Sequence, residues 1–368
     1  MDTIICNKPG ELKLTQTNRP ERRDGEALLK ILQVGICGTD LHAFEGTQPY
    51  FTYPRILGHE LAAEILDIPE GYGFSVGDRV TAIPYFHCGE CPTCRQGKTN
   101  CCARLQVYGV HVDGGMRSEV ALPIRSLIGR NGLTADQLSL VEPLAISAHG
   151  IRRAAVRPGE HVLIVGAGPI GIGTLLLARA GGANVMMMDI NPDRLAYCRT
   201  LVDGLITIDA GDPAVKVNEQ LSEITGGEMP SVVFDCTGSQ QAINQAFSYL
   251  AHGGRYILIG LQQQPITFSH PEFHKREATL MSSRNATAED FDFVIQQLLR
   301  GTILPSAFIT HRIPHDQLPE VFPMLLDPVN RVIKAVVGFE SRFLLYLDEQ
   351  QGPGGQQQQA CGHDIDCR

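Results

Sequence analysis

Apolar positions in the first third of the chain fall in short runs bounded by Gly and Asp. "EALLKILQVGICG" (26–38) and "GDRVTAI" (77–83) are examples, and such runs predict strands and turns with little helical periodicity. The texture changes between residues 144 and 281, where strand-like runs alternate with helical ones. These are "HVLIVG", "PIGIGTLLLARAGG", "NVMMMDI" and "NPDRLAYCRTL", and later "SVVFDCTG", "QQAINQAFSYLAHGG" and "RYILIGL". Such alternation predicts an α/β unit, a doubly wound parallel sheet with helices on both faces. After 282 come one amphipathic helix, "AEDFDFVIQQLLRG", and strand-like pieces ending at "RVIKAVVGFE", which most simply rejoin the first unit. The expected division is therefore 1–143, 144–281 and 282–340, with the Gln- and Gly-rich residues 341–368 as a disordered tail, at least from Asp348 onward. Cys361, His363 and Cys367 in that tail are metal-ligating types, but so short a flexible tract is expected to bind nothing.

At 368 residues with 43% hydrophobic side chains, the chain is long enough for two cores. A net charge of -9 argues against nucleic acid or an anionic membrane as partner, since both require a basic face; a small molecule is expected instead. The uncharged stretch "VLIVGAGPIGIGTLLLA" (162–178) is punctuated by Gly166, Gly168, Gly171 and Gly173, which suits a buried strand, a tight turn and a helix better than a membrane span. "MDTIICNKPGELKL" has no basic region followed by an apolar block, so the expected location is cytoplasmic.

Five of the eleven cysteines lie between residues 88 and 102, a density that points to metal rather than to disulfides in so long a chain. "CGECPTCRQGKTNCC" sets Cys88, Cys91, Cys94 and Cys102 at C-x2-C-x2-C-x7-C. Four thiolates suit one tetrahedral Zn2+ with no position left open, a structural site. On spacing alone Cys101 competes with Cys102.

"GAGPIG" (Gly166, Gly168, Pro169, Ile170, Gly171) follows an apolar strand, opens a helix, and has Asp189 at the end of the next strand, 18 residues past Gly171. Glycines there permit the tight turn, the approach of a pyrophosphate and close helix packing, while the helix N-terminus supplies amides to the phosphates. The Asp189 carboxylate accepts ribose hydroxyls and repels a 2'-phosphate, favouring NAD over NADP; Arg194, five residues on, weakens that preference.

"LGHELAAEI" (57–65) places His59, Glu60 and Glu64 in an otherwise apolar run, where ionisable groups are costly to bury. Upstream, "GICGTDLH" offers Cys37, Thr39, Asp40 and His42; downstream, "VEPLAISAHG" offers Glu142. One thiolate, one imidazole and one or two carboxylates make a zinc site with an open position. Alcohol oxidation uses such a site: the metal lowers the hydroxyl's pKa, and the carbon releases hydride to a nicotinamide. "HELAA" lacks the second histidine of H-E-x-x-H, which excludes a metallopeptidase of that kind.

Together these residues resemble the zinc-dependent medium-chain alcohol dehydrogenases, more narrowly their sorbitol dehydrogenase branch, over residues 1 to about 340. The resemblance implies a GroES-like β-rich catalytic domain beside a Rossmann NAD-binding domain, with one catalytic and one structural zinc. It also implies a homodimer or homotetramer, for which an edge strand such as "RYILIGL" offers a pairing surface. It makes Cys37 and His59 ligands of the catalytic zinc, Glu60 a ligand or exchangeable neighbour, and Glu142 a glutamate that binds the metal or its water. Thr39 corresponds to the hydroxyl that takes the substrate proton, and His42 to the outer end of a relay through the cofactor ribose. Asp40 orients His59, Cys102 becomes the fourth cysteine ligand, and Lys334 falls where relatives place a basic residue near the pyrophosphate. Ala63 departs from the family's usual glycine, the loop "DIPEGYGFSVGD" is compressed, and Glu64 is expected only as a sheet-face or salt-bridge carboxylate.

The stretches "YFTYPRILGHE", "YGVHVDGGM" and "FSHPEFHKREATLMSSRNAT" are especially similar to bacterial members that oxidise hexonic acids such as L-galactonate and L-gulonate at C5. A sugar acid brings a carboxylate. Arg284 and Asn285 in "SSRNAT" are the leading candidates to receive it, since arginine meets carboxylates bidentately, and His111 is a second candidate. A neutral-polyol dehydrogenase needs the same zinc and dinucleotide residues; threonine or simple-alcohol oxidation and a non-catalytic nucleotide-binding role are the further alternatives.

Overall fold

The computed structural model describes residues 1–129 and 132–340 and the backbone of 346–347. Six strands alternate with helices in the middle of the chain: His161–Val165, Asn184–Asp189, Ile206–Asp209, Val232–Asp235, Arg255–Leu258 and Thr279–Ser282. All pair in parallel. Counted in chain order they lie side by side as 3-2-1-4-5-6. The order reverses beside His161–Val165, which opens a crevice at the carboxyl ends of the strands, where this topology receives a dinucleotide. Helices cover both faces, so the strands are apolar on both sides: Leu163 and Val233 enter one core, Val162 and Phe234 the other. The uncharged stretch 162–178 divides between the strand His161–Val165 and the helix Pro169–Ala180, and among the described residues no helix is long and apolar enough to cross a membrane. Arg255–Leu258, expected at an edge, has a neighbour on each side; the outer strands are Ile206–Asp209 and Thr279–Ser282.

The β-rich unit is built around the strand Glu26–Gly35, which pairs antiparallel with Glu60–Asp67, Glu119–Pro123 and Lys334–Gly338. Ile31, Val34, Leu61, Ile65, Val120 and Val337 fill its separate core. Glu64 is half-buried and faces Lys30 and Arg79 across the ladders, a sheet-face carboxylate between two bases. The chain rejoins this unit later than expected. The helix Ala288–Leu299 buries Phe291, Val294, Ile295 and Leu298 in a core shared with the parallel sheet, and only from Ile309–Pro314 do strands return. Tyr346–Leu347 then pairs with His311 and Arg312, so strand pairing reaches into the segment expected to be disordered. The expectations for Asp348 onward, including Cys361, His363 and Cys367, lie outside the described residues.

The expected boundary at 143/144 falls inside the helix Ala135–Ala154, which starts from a Thr134/Gln137 capping box and runs on through Pro143. This helix packs on the β-rich unit on one side and on the helices Pro169–Ala180 and Ala288–Leu299 on the other. It therefore carries Glu142 to the junction of the two units.

Candidate active site

Cys37 caps the helix Gly38–Glu45 just past the end of Glu26–Gly35, and Gly35 lies opposite Glu60 in the ladder. That register brings the cysteine turn beside the start of the next strand. A ligand atom from each of Cys37, His59 and Glu60 lies within 4.8 Å of the others. Asp40, fully buried, ties the two segments together: Oδ2 accepts from the Cys37 amide at 2.9 Å and Oδ1 from the Gly58 amide at 3.2 Å. Asp40, expected to orient His59, does not reach it with a hydrogen bond. Oδ1 stands 4.0 Å from Nδ1, and Nδ1 is buried without a hydrogen-bond partner. Asp40 acts on His59 through charge instead.

Glu60 and Lys334 are buried together, with Nζ 2.6 and 2.8 Å from the two carboxylate oxygens and 3.0 Å from the Ile36 carbonyl. A buried ammonium needs its three donors satisfied, and Glu60 and Ile36 engage all of them. Glu142 accepts a hydrogen bond from the Tyr85 hydroxyl and stands outside the tight trio. Its charge still reaches His59. Burial opposes the charged imidazole, but Cys37, Asp40 and Glu142 outweigh it and hold the His59 pKa well above the ordinary value. Burial pushes the Glu142 carboxyl up. The pocket thus gathers a thiol and three buried carboxylates around one lysine. An orphaned imidazole nitrogen in a negatively charged N, O and S donor set fits a zinc ion.

Thr39 is half-buried two residues past Cys37, and His42 is exposed one turn further on the same helix face. His42 Nδ1 lies 3.2 Å from Thr47 Oγ1 and 3.3 Å from Glu45 Oε2.

In the cysteine lobe the four sulfurs of Cys88, Cys91, Cys94 and Cys102 all lie within 4.8 Å of one another, with contacts of 3.5, 3.9 and 4.0 Å. Zn–S bonds of 2.3 Å give a tetrahedron with edges of about 3.8 Å, so the sulfurs already stand at zinc spacing and far beyond disulfide length. Amides of Cys88 and Arg104 each donate to Cys102 Sγ at 3.3 Å, and the Thr93 hydroxyl pulls the Cys91 thiol well below its ordinary pKa. Cys101 is exposed and outside the group, which resolves the choice left open by spacing.

At the parallel sheet, Gly166 adopts φ 103, and a Cβ on Gly171 would stand 1.8 Å from the Gly166 carbonyl. Both positions demand glycine. Gly168 caps the helix beginning at Pro169 and Ile170, and a Cβ there would meet nothing closer than Arg194 Nη1 at 4.0 Å, leaving the loop open to a ligand with that guanidinium at its side. Asp189 ends its strand with Oδ2 accepting from the Ala167 amide at 2.6 Å and Oδ1 from the Asn191 amide at 2.8 Å.

The charge of Arg284 is felt at His111. Burial lowers the His111 pKa, and the charges of Arg284 and Arg55 lower it further. The loop carrying His111 is strapped to the segment before His59: Gly115 and Met116 amides donate to the Gly58 and Leu57 carbonyls at 2.8 and 3.0 Å. Arg284 is exposed, and beside it Ser283 Oγ and Asn285 Nδ2 are buried without hydrogen-bond partners, with Asn285 at φ 54. Sequence reasoning missed Arg55 and Tyr85, because each takes its place through contacts distant along the chain.

Residues 23–130 match the family described as alcohol dehydrogenase GroES-like domain, and residues 169–300 match the zinc-binding dehydrogenase family. The chain is 42% identical over 341 residues to L-galactonate-5-dehydrogenase of Escherichia coli K12, covering 92% of this chain and 99% of that protein. It is 30% identical to sorbitol dehydrogenase of Halalkalibacterium halodurans, over 84% of this chain and 92% of that one. The solved structure of an alcohol dehydrogenase from Escherichia coli CFT073 complexed with cofactor NADH matches with a TM-score of 0.84 at 27% identity, across 92% and 99% of the two chains. The chain belongs to the zinc-type medium-chain alcohol dehydrogenase family and is an oxidoreductase.

Proposed function

We propose that the protein oxidises a secondary hydroxyl of a sugar acid, L-galactonate or L-gulonate at C5, to the ketone, with NAD as hydride acceptor. The observation that carries this reading is the exposed Arg284 guanidinium, flanked by the buried and unpartnered Ser283 Oγ and Asn285 Nδ2, whose charge is felt at His111 on the loop strapped to the His59 segment. A substrate hydroxyl at the Cys37 and His59 site can thereby have its carboxylate met at a distance by the Arg284 guanidinium, which a neutral polyol does not need. The unpaired Ser283 Oγ and Asn285 Nδ2 suit the remaining hydroxyls of such a substrate. The 42% identity to an L-galactonate dehydrogenase supports the same class.

Cys37 and His59 would hold the catalytic zinc, with Glu60 or Glu142 as the exchangeable carboxylate. Zinc so held supplies the Lewis acidity that lets the hydroxyl give up its proton near neutral pH. Thr39 Oγ1, at the half-buried end of its helix face, would accept that proton while handing its own onward, and His42, exposed one turn on, would pass a proton to water. A nicotinamide dinucleotide held at the Gly166–Gly171 turn would supply the acceptor for the carbon-bound hydrogen, so that the carbon is oxidised to a ketone. Asp189 favours NAD by receiving ribose hydroxyls and repelling a 2'-phosphate. A cysteine cluster spaced for a metal rather than for disulfides suits the reducing cytoplasm.

Arg284→Ala tests the reading. Loss of a charge-assisted pair worth about 1.5–3 kcal/mol lowers kcat/KM for L-galactonate by about 10- to 100-fold and leaves sorbitol turnover unchanged. Equal losses on both substrates would refute the carboxylate role.

A further inference from the structure

We propose that Asn100, inside the four-cysteine lobe, is a positioning residue for Arg284, so that the lobe helps to set the preference for acidic over neutral substrates; this rests on the sugar-acid reading above. Asn100 lies two residues before Cys102 and is only 4% exposed. Its Nδ2 donates one hydrogen to the Arg284 carbonyl at 2.8 Å and the other to His149 Nε2 at 3.1 Å. His149 is buried in the central helix and donates from Nδ1 to Asp290 Oδ2 at 2.8 Å. Asp290 also receives the Thr287 amide at 2.8 Å, the Thr287 hydroxyl at 2.9 Å and Arg152 Nε at 2.8 Å. A single chain of hydrogen bonds therefore runs from the cysteine lobe, through the helix that joins the two units, to both ends of the segment 284–287.

The segment's ends are otherwise held by the Ser283 amide, which donates to the Leu258 carbonyl at 2.8 Å, and by Thr287, whose hydroxyl accepts from Arg152 Nη2 at 2.9 Å; neither holds Arg284 itself. Asn285 holds a left-handed backbone, and Ser283 Oγ and Asn285 Nδ2, on either side of Arg284, have no hydrogen-bond partners. Asn100 grips the segment at the carbonyl of the arginine itself. Without the Nδ2 donor, the half-buried Arg284 carbonyl and the buried His149 Nε2 each lose a partner, and the turn can settle elsewhere. Misplacement by about 1 Å is enough to cost up to about 100-fold in a positioned reaction.

The test uses two variants of the full chain. Asn100→Ala removes the side chain, and Asn100→Asp keeps its shape while removing both N–H donors. Zinc content and thermal midpoint certify each as folded, and if the alanine variant fails to fold, Asn100→Asp decides. The readout is the ratio of kcat/KM for L-galactonate to that for sorbitol, with amide hydrogen exchange of residues 283–287 as a measure independent of activity. The ratio should fall about tenfold, through KM for the acid, and exchange in 283–287 should accelerate. An unchanged ratio in the folded variant overturns the inference. If Arg284→Ala also leaves the ratio unchanged, the sugar-acid reading falls with it; if Arg284→Ala lowers the ratio and the Asn100 variants do not, only the role of Asn100 is lost.

Discussion

Substituting Gly35 by alanine tests whether Glu60 is locked in place by Lys334. A Cβ at Gly35 would stand 2.0 Å from Glu60 Oε2 and 3.0 Å from its Cβ. Carbon and oxygen atoms approach to about 3.3 Å, so the carboxylate must shift by more than about 1 Å. Lys334 Nζ also bonds the Ile36 carbonyl, next to Gly35, so a shift away from Gly35 carries Oε2 away from Nζ. A free glutamate would simply rotate. Glu60 is fully buried and both its oxygens are engaged at 2.6 and 2.8 Å, so its displacement leaves a buried ammonium without full compensation. Breaking such a pair costs about 3–5 kcal/mol, a large part of the roughly 5–15 kcal/mol that holds a domain folded. Urea unfolding followed by circular dichroism, on Gly35→Ala in the wild type and in a Lys334→Met background, measures the effect. We expect a loss of about 3 kcal/mol in the wild type and at least about 2 kcal/mol less in the Lys334→Met background, where the pair is already gone. The same loss in both backgrounds would refute the reasoning, because backbone strain rather than the ion pair would then be the cause.

Cys37→Ser should abolish turnover and remove one zinc per chain while calorimetric NAD affinity stays near wild type; retained turnover would mean the metal centre is misplaced. Asp189→Gly should lower kcat/KM with NAD by about tenfold or more and narrow its lead over NADP, since Arg194 stands beside Gly168; unchanged selectivity would remove Asp189 from cofactor choice. Burial pushes the Asp290 carboxyl up, but His149 and Arg152 outweigh it and hold it far below the ordinary range. A carboxyl depressed in the folded state adds stability that is present above the unfolded value of about 3.9 and lost as pH falls below it. Asp290→Asn should therefore cost about 3 kcal/mol at pH 7, with the gap to wild type closing below about pH 4; a gap independent of pH would contradict this.

The parallel sheet was legible because strands covered on both faces must be continuously apolar, and the glycines of the first turn announce themselves through backbone geometry that other residues cannot adopt. The cysteine lobe was legible for a similar reason, since short-range spacing alone nearly defines a tetrahedron; spacing left Cys101 and Cys102 open, the family resemblance pointed to Cys102, and the coordinates place Cys102 in the group. The helix Ala135–Ala154 was not read. Pro143 and a run of small residues blur its period, although "TADQ" at 134–137 spells the capping box that starts it. Lys334 shows a different limit: its partner Glu60 lies 274 residues away, and a buried charge is assigned by its partner rather than by its neighbours in sequence. Asn100 and Tyr85 were unreadable on the same ground, each acquiring its place only when the helix Ala135–Ala154 packs against their loops.

The most direct test of the account is the NAD-dependent absorbance change of the zinc-loaded enzyme with L-galactonate, L-gulonate, D-sorbitol, L-threonine and a simple secondary alcohol, compared as kcat/KM. The account predicts that a hexonate leads sorbitol by at least about tenfold, the worth of one charge-assisted carboxylate contact. Sorbitol turning over as well as either hexonate would contradict the assignment of Arg284 and its neighbours to a substrate carboxylate.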